Sequence, residues 1–282
     1  GMDRALGSLD STNVLLGKEG WLFLKDVSDS RSLSDYQGLT SFSAEETDAI
    51  LETARALEEE LERKGSRLVL LFAPAKEGVY SRYMPDSIPV VSRPTRIEAL
   101  TESLRQGTGL PVLFPLTELQ EAADGRQVYY KYDTHWNEAG AWLAAQQVLG
   151  ARGLPAESEW PAVEADPGQA APTDLANMCG SWRWCTDDLY YTVDAPRARC
   201  TASESGGELT RYQGGGEGSL RLARDSCGEA VAPFLAQGLG ESLVRHGNLL
   251  TPENLAAWQP DLPDVVVLEV AERFADNLPA RL

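Results

Sequence analysis

Two short segments are apolar along almost their whole length, and they constrain the fold more than any other feature of the chain. One runs from Arg67 to Ala73 (RLVLLFA) and the other from Asp264 to Val270 (DVVVLEV). A strand in a parallel sheet is nearly all apolar because helices cover both of its faces. The two segments therefore predict buried parallel strands inside an α/β domain.

Along most of the chain, segments whose apolar residues recur at helical spacing alternate with short, continuous apolar runs. Ser43 and Glu46 match a capping box, and apolar residues then recur at helical spacing until Gly65. Further helices are predicted at Ile97 to Leu104, from Asn137 to Gly150 or Gly153, after Ser226 to about Leu239, and near Asn254 to Trp258. Further strands are predicted at the end of Gly17 to Leu24 and at Pro111 to Phe114, Tyr129 to His135, Ser219 to Asp225 and Glu241 to His246. This order predicts a three-layer α/β/α sandwich whose mainly parallel sheet has five or more strands.

One stretch interrupts the alternation. Residues from about 155 to 218 are rich in Pro, Gly, Trp and Cys, and only Leu189 to Val193 resembles a strand. We interpret this stretch as a loop-rich, irregular insertion in a single domain that covers residues 1–282. Three consecutive glycines, Gly214 to Gly216, lack the lysine and serine of a phosphate-binding loop and are predicted to form a mobile loop.

The charge balance excludes several classes of function. The chain has 43 acidic and 25 basic residues, for a formal charge of -18, so a phosphate backbone or an anionic membrane surface would be repelled. No stretch approaches the ~20 consecutive apolar residues of a membrane helix, and the N-terminus as given lacks the pattern of a signal peptide. We therefore predict no nucleic-acid partner.

Four cysteines bear on the compartment in which the protein works. Cys179, Cys185 and Cys200 fall within one loop-rich segment, which predicts at least one disulfide there and hence an extracytoplasmic, periplasmic or cell-envelope location. Free, buried thiols are the alternative interpretation. With no CxxC pair and two histidines, we expect no metal site and no cofactor.

Asp133 and His135 are the first candidate catalytic residues. They stand where a predicted strand meets a helix, and residues two apart in an extended backbone point to the same side. A carboxylate can then hold one imidazole nitrogen as a donor and leave the other free as a general base. A histidine that only caps the helix or packs beside Trp136 is the alternative.

Ser226 is the second candidate. It lies between an apolar strand (LRLA) and a helix (GEAVAPFLAQ), at the carboxyl edge of the predicted sheet. Free backbone N–H groups at the helix start could activate its hydroxyl and stabilise an oxyanion. A helix cap formed by Ser226 or Asp225 is the alternative.

Together these segments resemble a known family. The DTHW sequence of residues 133–136 with Gly140, the RDSCG sequence of residues 224–228 and the VVVLEVAER sequence of residues 265–273 look like the alginate O-acetylation (AlgX/AlgJ and DHHW) branch of the SGNH hydrolases. GKEGWLFL at residues 17–24 and a segment with Pro74, Lys76 and Tyr80 also fit. The aspartate and histidine precede the serine, a permuted order that this branch shares.

The resemblance implies an SGNH-hydrolase-like fold and an O-acetyltransferase or acetylesterase. It implies a triad of Ser226, His135 and Asp133, an acetyl-serine intermediate and a polysaccharide or acetylated sugar as substrate. A membrane protein that supplies the acetyl group is a further implied partner. Candidates for the oxyanion site or the substrate contacts are Cys227, Lys76, Tyr80, Trp136 and Arg273; an ion pair between Glu272 and Arg273 is a structural alternative.

Two open points accompany the resemblance. Residue 227 is Cys where the family usually has Phe or Tyr, and the second oxyanion donor is not assigned, although Asn248 is near in sequence. A function of another class also stays open: a catalytically silent protein with the same fold that presents Trp136, Trp182 and Trp184 to glycans. For Trp142, core packing is the favoured interpretation.

Overall fold

The structure is a computed structural model that describes residues 10–181, 183–193, 201–206, 209–247 and 263–281. Its strands are β1 (Val14–Leu16), β2 (Leu22–Leu24), β3 (Asp26–Val27), β4 (Ser30–Arg31), β5 (Arg67–Ala73), β6 (Val112–Leu113), β7 (Ala162–Ala170), β8 (Asp188–Val193), β9 (Thr201–Gly206), β10 (Leu209–Gln213), β11 (Ser219–Arg224), β12 (Glu241–His246) and β13 (Val265–Ala271). Its α-helices are α1 (Ser32–Gln37), α2 (Ala44–Arg63), α3 (Lys76–Val79), α4 (Arg96–Gly107), α5 (Leu116–Ala123), α6 (Glu138–Ala151), α7 (Asp174–Met178), α8 (Gly228–Leu235) and α9 (Leu278–Arg281). Short 3-10 helices cover Lys18–Gly20, Ser81–Tyr83 and Glu272–Asn277.

A seven-stranded sheet with the order β6-β5-β13-β11-β12-β10-β9 forms the centre of the structure. The pairs from β6 to β12 are parallel, whereas β10 pairs antiparallel with both β12 and β9. The two apolar segments lie side by side as β5 and β13, with Val265 opposite Arg67 and Ala271 opposite Ala73. The predicted three-layer α/β fold with a mainly parallel sheet is confirmed.

Helices cover both faces of this sheet. Val69 and Leu71 of β5 pack in one core layer with α6 and α8, whereas Leu70 and Phe72 pack in the other with α2 and α4. This division follows from the strand geometry, because successive side chains point to opposite faces. The capping box of Ser43 at the start of α2 is confirmed, and Thr95 with Glu98 forms a second one at the start of α4.

The segment predicted to be irregular contains more regular structure than the sequence indicated. β7 and β8 form a separate antiparallel pair, and β9 and β10 extend the central sheet at one edge. These strands lack continuous apolar runs because they lie at edges or outside the sheet, so only residues 189–193 had been recognised. The single domain over residues 1–282 stays a prediction, and the helix predicted near residues 254–258 lies outside the described residues.

Two of the three glycines in the predicted loop, Gly214 and Gly216, also have a packing role. A Cβ atom on Gly214 would lie 2.1 Å from the carbonyl oxygen of Leu239, and one on Gly216 would lie 1.9 Å from that of Gly238. The backbone of this segment therefore packs directly against residues 238–239, which no larger residue would allow.

The predicted disulfide is not found at the cysteines that the structure describes. Cys179 and Cys185 carry free thiols and pack in one apolar cluster with Leu22 and Leu175, while Cys200 lies outside the described residues. Thiols packed among apolar side chains behave as small apolar groups, so the alternative of free, buried thiols fits Cys185, which is buried, and in part Cys179, which is half-buried. Within the described ranges, no helix is both long and apolar enough to cross a membrane.

Candidate active site

Three neighbouring parallel strands deliver the polar residues of the site to one edge of the sheet. β11 is followed by Ser226, β13 by Arg273 and β5 by Lys76, and these strands are adjacent in the order β5-β13-β11. The carboxyl ends of parallel strands meet at the same edge, which is where α/β folds bind their ligands.

Asp225 and Glu269 fix the turn that carries Ser226. The Asp225 carboxylate accepts the N–H of Cys227 at 2.9 Å and the N–H of Ala271 at 2.6 Å, while Glu269 Oε2 accepts the Asp225 N–H at 3.1 Å. Gly228 completes the turn, because a Cβ atom there would lie 2.4 Å from that of Arg224. The serine is thus held by groups from two neighbouring strands.

The segment that carries Asp133 and His135 is a tight turn and not the predicted strand. Only an isolated bridge between Tyr129 and Trp136 remains of that strand. The Lys76 ammonium explains the turn, since it donates to the carbonyl oxygens of Tyr130 at 3.1 Å, Lys131 at 3.2 Å and Asp133 at 2.7 Å. Carbonyls that share one donor must bend around it, and an extended strand cannot do so.

The turn nevertheless places Asp133, His135 and Ser226 in one hydrogen-bonded row. Asp133 Oδ1 lies 2.7 Å from His135 Nδ1, and His135 Nε2 lies 2.9 Å from Ser226 Oγ. The same Asp133 oxygen accepts the backbone N–H of His135 at 2.9 Å. The two side chains face each other through this local hydrogen bond, and not through strand alternation as the sequence had suggested.

The electrostatics of Asp133 keep it ionised. Burial alone would raise the pKa of this carboxyl, but the hydrogen bond and positive field of His135, with the N–H groups of Asp174 and His135, lower it to about 2. An ionised carboxylate is an acceptor only, so His135 Nδ1 must carry the proton. The lone pair of His135 Nε2 is then free to accept the Ser226 hydroxyl.

Arg273 is the auxiliary candidate whose side chain contacts the Ser226 hydroxyl, whereas Trp136 and Cys227 line the cleft beside it. Its Nη2 lies 3.1 Å from Ser226 Oγ and 3.2 Å from His135 Nε2. Glu272 instead accepts the N–H of Ala75 at 2.7 Å, and burial raises its pKa to about 8. The residues thus contact different groups, and Arg273 supplies a cation beside the serine.

The other four auxiliary candidates have structural contacts. Lys76 and Tyr80 are buried behind the turn, and the Tyr80 hydroxyl accepts the N–H of Val128 at 2.9 Å. Trp136 is 1% exposed and donates its Nε1–H to the carbonyl of Cys227 at 2.9 Å, so its ring is not presented to glycans. Burial raises the pKa of the Cys227 thiol well above its usual range.

The remaining aromatic candidates divide between surface and core. Trp184 is 81% exposed, whereas Trp142 is buried and packs against Trp160 with ring centroids 4.5 Å apart. Trp182 and Asn248 lie outside the described residues.

An open cleft leads to the serine and histidine. Its volume is about 590 Å³, and besides Asp133, His135 and Ser226 its walls include Tyr130, Pro172, Tyr212, Glu229 and Pro233. Clefts of this size hold small organic ligands or part of a polymer. The row of Asp133, His135 and Ser226 is therefore reachable from outside by a substrate.

Sequence reasoning missed Asp174 and Thr134. The backbone N–H of Asp174 donates to Asp133 Oδ2 at 2.8 Å, and Asp174 Oδ2 lies 3.6 Å from His135 Nδ1. The sequence signal at Asp174 was only that of an acidic residue at a helix start, and nothing linked it to a turn 40 residues earlier. Asp133, His135 and Asp174 are also close enough to share an ion, but the Asp133 carboxylate already accepts the backbone N–H groups of His135 and Asp174, and the Asp174 carboxylate accepts the N–H and the hydroxyl of Thr134.

Comparison with known proteins shows which family the chain matches. The model of a family described as an SGNH hydrolase-like domain, acetyltransferase AlgX, matches residues 14–195. A probable alginate O-acetylase AlgJ of Pseudomonas syringae pv. tomato is 32% identical over 139 residues, and that of Pseudomonas aeruginosa is 31% identical over 143 residues. Each match covers 49% of this chain and 32% of the relative, so the chain spans about a third of the length of these relatives.

Several solved structures share the fold of this chain. The O-acetyltransferase domain of Pseudomonas putida AlgJ has a TM-score of 0.56 at 22% identity and covers 95% of this chain and 92% of its own. Bacillus cereus PatB1 with a sulfonyl adduct has a TM-score of 0.62 at 13% identity and covers 94% of this chain and 97% of its own. At these identities the comparison establishes the shared fold.

Proposed function

The chain belongs to the AlgX family of SGNH hydrolase-like acetyltransferase domains, and from this premise we propose that it transfers acetyl groups to hydroxyl groups of a polysaccharide. The observation that carries the proposal is the row of three side chains, with 2.7 Å between Asp133 and His135 and 2.9 Å between His135 and Ser226. An aligned carboxylate, imidazole and hydroxyl is the arrangement that activates a serine for acyl transfer.

In the first half-reaction Ser226 Oγ attacks the carbonyl carbon of an acetyl ester. His135 Nε2 takes the hydroxyl proton as the new C–O bond forms, and Asp133 stabilises the resulting imidazolium through Nδ1–H. The tetrahedral intermediate then collapses, the ester C–O bond breaks, and His135 returns the proton to the leaving oxygen. The product is acetyl-Ser226 and the free alcohol of the donor.

The second half-reaction regenerates the serine. A sugar hydroxyl gives its proton to His135 Nε2 and attacks the acetyl carbon, after which the Ser226 oxygen leaves and recovers that proton. Water in place of the sugar would give hydrolysis, so one site accounts for both transferase and esterase activity.

Two sources of positive charge are available for the oxyanion. The first turn of α8 leaves backbone N–H groups without helical partners beside Ser226. Arg273 Nη2, 3.1 Å from Ser226 Oγ, is the side-chain donor that we assign to the same role. The sequence had left this second donor unassigned.

The nature of the substrate and the location rest on the relatives. The matched AlgJ proteins are named probable alginate O-acetylases, so we propose a polysaccharide acceptor. An extracytoplasmic location and a membrane protein as the acetyl source are proposals that rest on the family resemblance of the sequence motifs. A formal charge of -18 would repel a polyanion overall, so we do not assign alginate itself as the acceptor.

Covalent labelling tests the proposed nucleophile. An arylsulfonyl fluoride should modify Ser226 in the purified chain, as the reported PatB1 adduct suggests for that protein. Ser226→Ala and His135→Ala should each abolish labelling and lower the turnover of p-nitrophenyl acetate by at least about 100-fold.

A Cys227→Ala background removes the neighbouring thiol as a competing nucleophile, and peptide mass spectrometry locates the adduct. Acetylation of an added oligosaccharide, followed by mass spectrometry, separates transfer from hydrolysis. Labelling on another serine, or turnover that survives without Ser226, would contradict the proposal.

A further inference from the structure

Asp174 has a place in the site that neither the triad nor the sequence assigns. It begins α7, and both of its carboxylate oxygens contact Thr134: Oδ1 accepts the backbone N–H at 2.8 Å and Oδ2 contacts the hydroxyl. At 3.6 Å from His135 Nδ1, it lies beyond the 2.7 Å at which Asp133 holds the same nitrogen. Asp174 therefore hydrogen-bonds directly to Thr134, whereas it acts on the His135 imidazole only electrostatically.

The direction of each hydrogen bond around Thr134 follows from the chemistry of its partners. Arg273 Nη1 contacts the Thr134 hydroxyl, and a guanidinium nitrogen can only donate. Burial and the neighbouring Asp133 raise the pKa of Asp174. In its ionised form Asp174 can only accept, so the single Thr134 hydroxyl proton then points to Asp174. The relay thus runs from Arg273 to Thr134 to Asp174.

The same guanidinium begins a second relay. Arg273 Nη2 donates to Ser226 Oγ at 3.1 Å, Ser226 donates to His135 Nε2 at 2.9 Å, and His135 Nδ1 donates to Asp133 at 2.7 Å. Both relays end on a carboxylate, and the N–H of Asp174 joins the two ends by donating to Asp133 Oδ2 at 2.8 Å. Arg273 is therefore the common donor of a closed ring of hydrogen bonds.

From this ring we propose that Asp174 is a positioning residue that holds Arg273 against Ser226 through the Thr134 hydroxyl. Arg273 Nε is buried without a hydrogen-bond partner among the described residues, so the two terminal nitrogens fix the orientation of the guanidinium. If the Thr134 contact is lost, Nη2 is free to turn away from the serine. The inference rests on the proposed acyl transfer by Ser226.

The position of Nη2 has two consequences for the chemistry. Donation to Ser226 Oγ leaves the serine proton directed at His135 Nε2, which is the direction that general-base catalysis needs. In the proposed reaction negative charge develops next to the Ser226 oxygen, and a cation 3.1 Å from that oxygen would stabilise the transition state more than the ground state. Misplacing the guanidinium should lower kcat with little change in KM.

Matched substitutions at Thr134 and Asp174 test the relay. Thr134→Val keeps the shape and removes the hydroxyl, while Thr134→Ser keeps the hydroxyl. Asp174→Asn keeps an acceptor for the Thr134 N–H but places a donor opposite the hydroxyl, which reverses the required direction. We expect Thr134→Val and Asp174→Asn to lower kcat for p-nitrophenyl acetate about 10- to 100-fold, and Thr134→Ser to restore most of the rate.

A double-mutant cycle with Arg273→Gln distinguishes positioning from a general structural role. If Asp174 acts through Arg273, adding Asp174→Asn to Arg273→Gln should lower kcat by no more than about twofold beyond Arg273→Gln alone. Losses that multiply fully, or a normal kcat in Thr134→Val, would overturn the inference. If the unmodified chain shows no turnover that depends on Ser226, the proposed function itself is contradicted. The failure of the inference and the failure of the proposed function are therefore distinguishable.

Discussion

The site has two halves: the turn that carries Asp133 and His135 (the histidine half) and the turn that carries Ser226 (the serine half). Each half contains a buried carboxyl group, yet the pKa values of these two groups shift in opposite directions. Asp133 in the histidine half has its pKa lowered to about 2, because donors from His135 and Asp174 outweigh its burial. For Glu269 in the serine half, burial and then the neighbouring Asp225 raise the pKa well above its usual range. Burial raises the pKa of both groups, and the donors that face Asp133 are what reverse its effect there.

The two halves also differ in what holds them. The serine turn is fixed by residues at the ends of two adjacent strands, whereas the histidine turn depends on the ammonium of Lys76, more than 50 residues away in sequence. A turn built on the sheet is stable wherever the sheet is stable. A turn built around one buried donor is expected to fail when that donor is removed.

The largest expected effect is that of Lys76→Met, which breaks the histidine half alone. Methionine keeps the length of the side chain but leaves the carbonyls of Tyr130, Lys131 and Asp133 without their donor, at a cost of about 1–3 kcal/mol for each group that stays buried and unpaired. We expect turnover to fall by at least about 100-fold, since misplacement of catalytic groups by ~1 Å has effects of that size.

The comparison variant is Lys64→Met, at the end of α2, where the half-buried lysine pairs with Glu60. It should leave turnover unchanged. Equal activity of Lys76→Met and the unmodified chain would show that the turn holds without its ammonium, and the contrast between the two halves would then be wrong.

The next effect concerns acid unfolding and the carboxylate of Asp133. The pKa of this carboxyl is lowered from the ordinary aspartate value of about 4 to about 2 in the folded chain, so the group stabilises the fold fully above pH ~4 and loses the contribution as pH falls toward 2. The shift corresponds to a contribution of roughly 2 kcal/mol to the free energy of unfolding.

Urea unfolding between pH 2 and 6 measures this contribution. The difference in the free energy of unfolding between the unmodified chain and Asp133→Asn should shrink as pH falls through this interval. A difference that stays constant with pH would mean that Asp133 is not held as an ionised acceptor.

The sequence supports prediction of the sheet and of the serine half because both depend on local patterns. Continuous apolar runs identified β5, β11 and β13, and the position of Ser226 after β11 followed from them. The family resemblance stated from the motifs is likewise confirmed by the match over residues 14–195. The DTHW motif pointed to Asp133 and His135, although the local geometry was wrong.

The rest of the site depends on contacts between segments that are distant in sequence. The strand predicted over residues 129–135 is a turn because Lys76, which follows β5, donates hydrogen bonds to several carbonyl oxygens of this segment. Asp174 follows a hairpin strand with no apolar run, so no pattern placed it beside Asp133. β9 and β10 were missed for the same reason, since a strand without a continuous apolar run carries a weak sequence signal.

The smallest expected effect is that of Glu269→Gln in the serine half. A protonated carboxyl and a carboxamide have nearly the same shape, and either one offers an oxygen to the Asp225 N–H, which lies 3.1 Å from Glu269 Oε2. We expect turnover within about threefold of the unmodified chain. Glu269→Ala is the contrasting variant, because it leaves a cavity and removes the acceptor, at a cost of about 2–5 kcal/mol.

The pH dependence of Glu269→Gln separates a neutral carboxyl from an ionised one. Because the folded pKa of Glu269 is raised, the folded chain keeps a proton that the unfolded chain releases above pH ~4.5, so the carboxyl makes the fold less stable as pH rises. Glutamine does not titrate, and the variant should therefore gain stability relative to the unmodified chain between pH 5 and 8 in urea unfolding. A relative loss over that interval, together with a large fall in turnover, would mean that Glu269 works as a carboxylate. The two halves of the site would then hold their carboxyl groups in the same charge state, and the contrast between Asp133 and Glu269 would be removed.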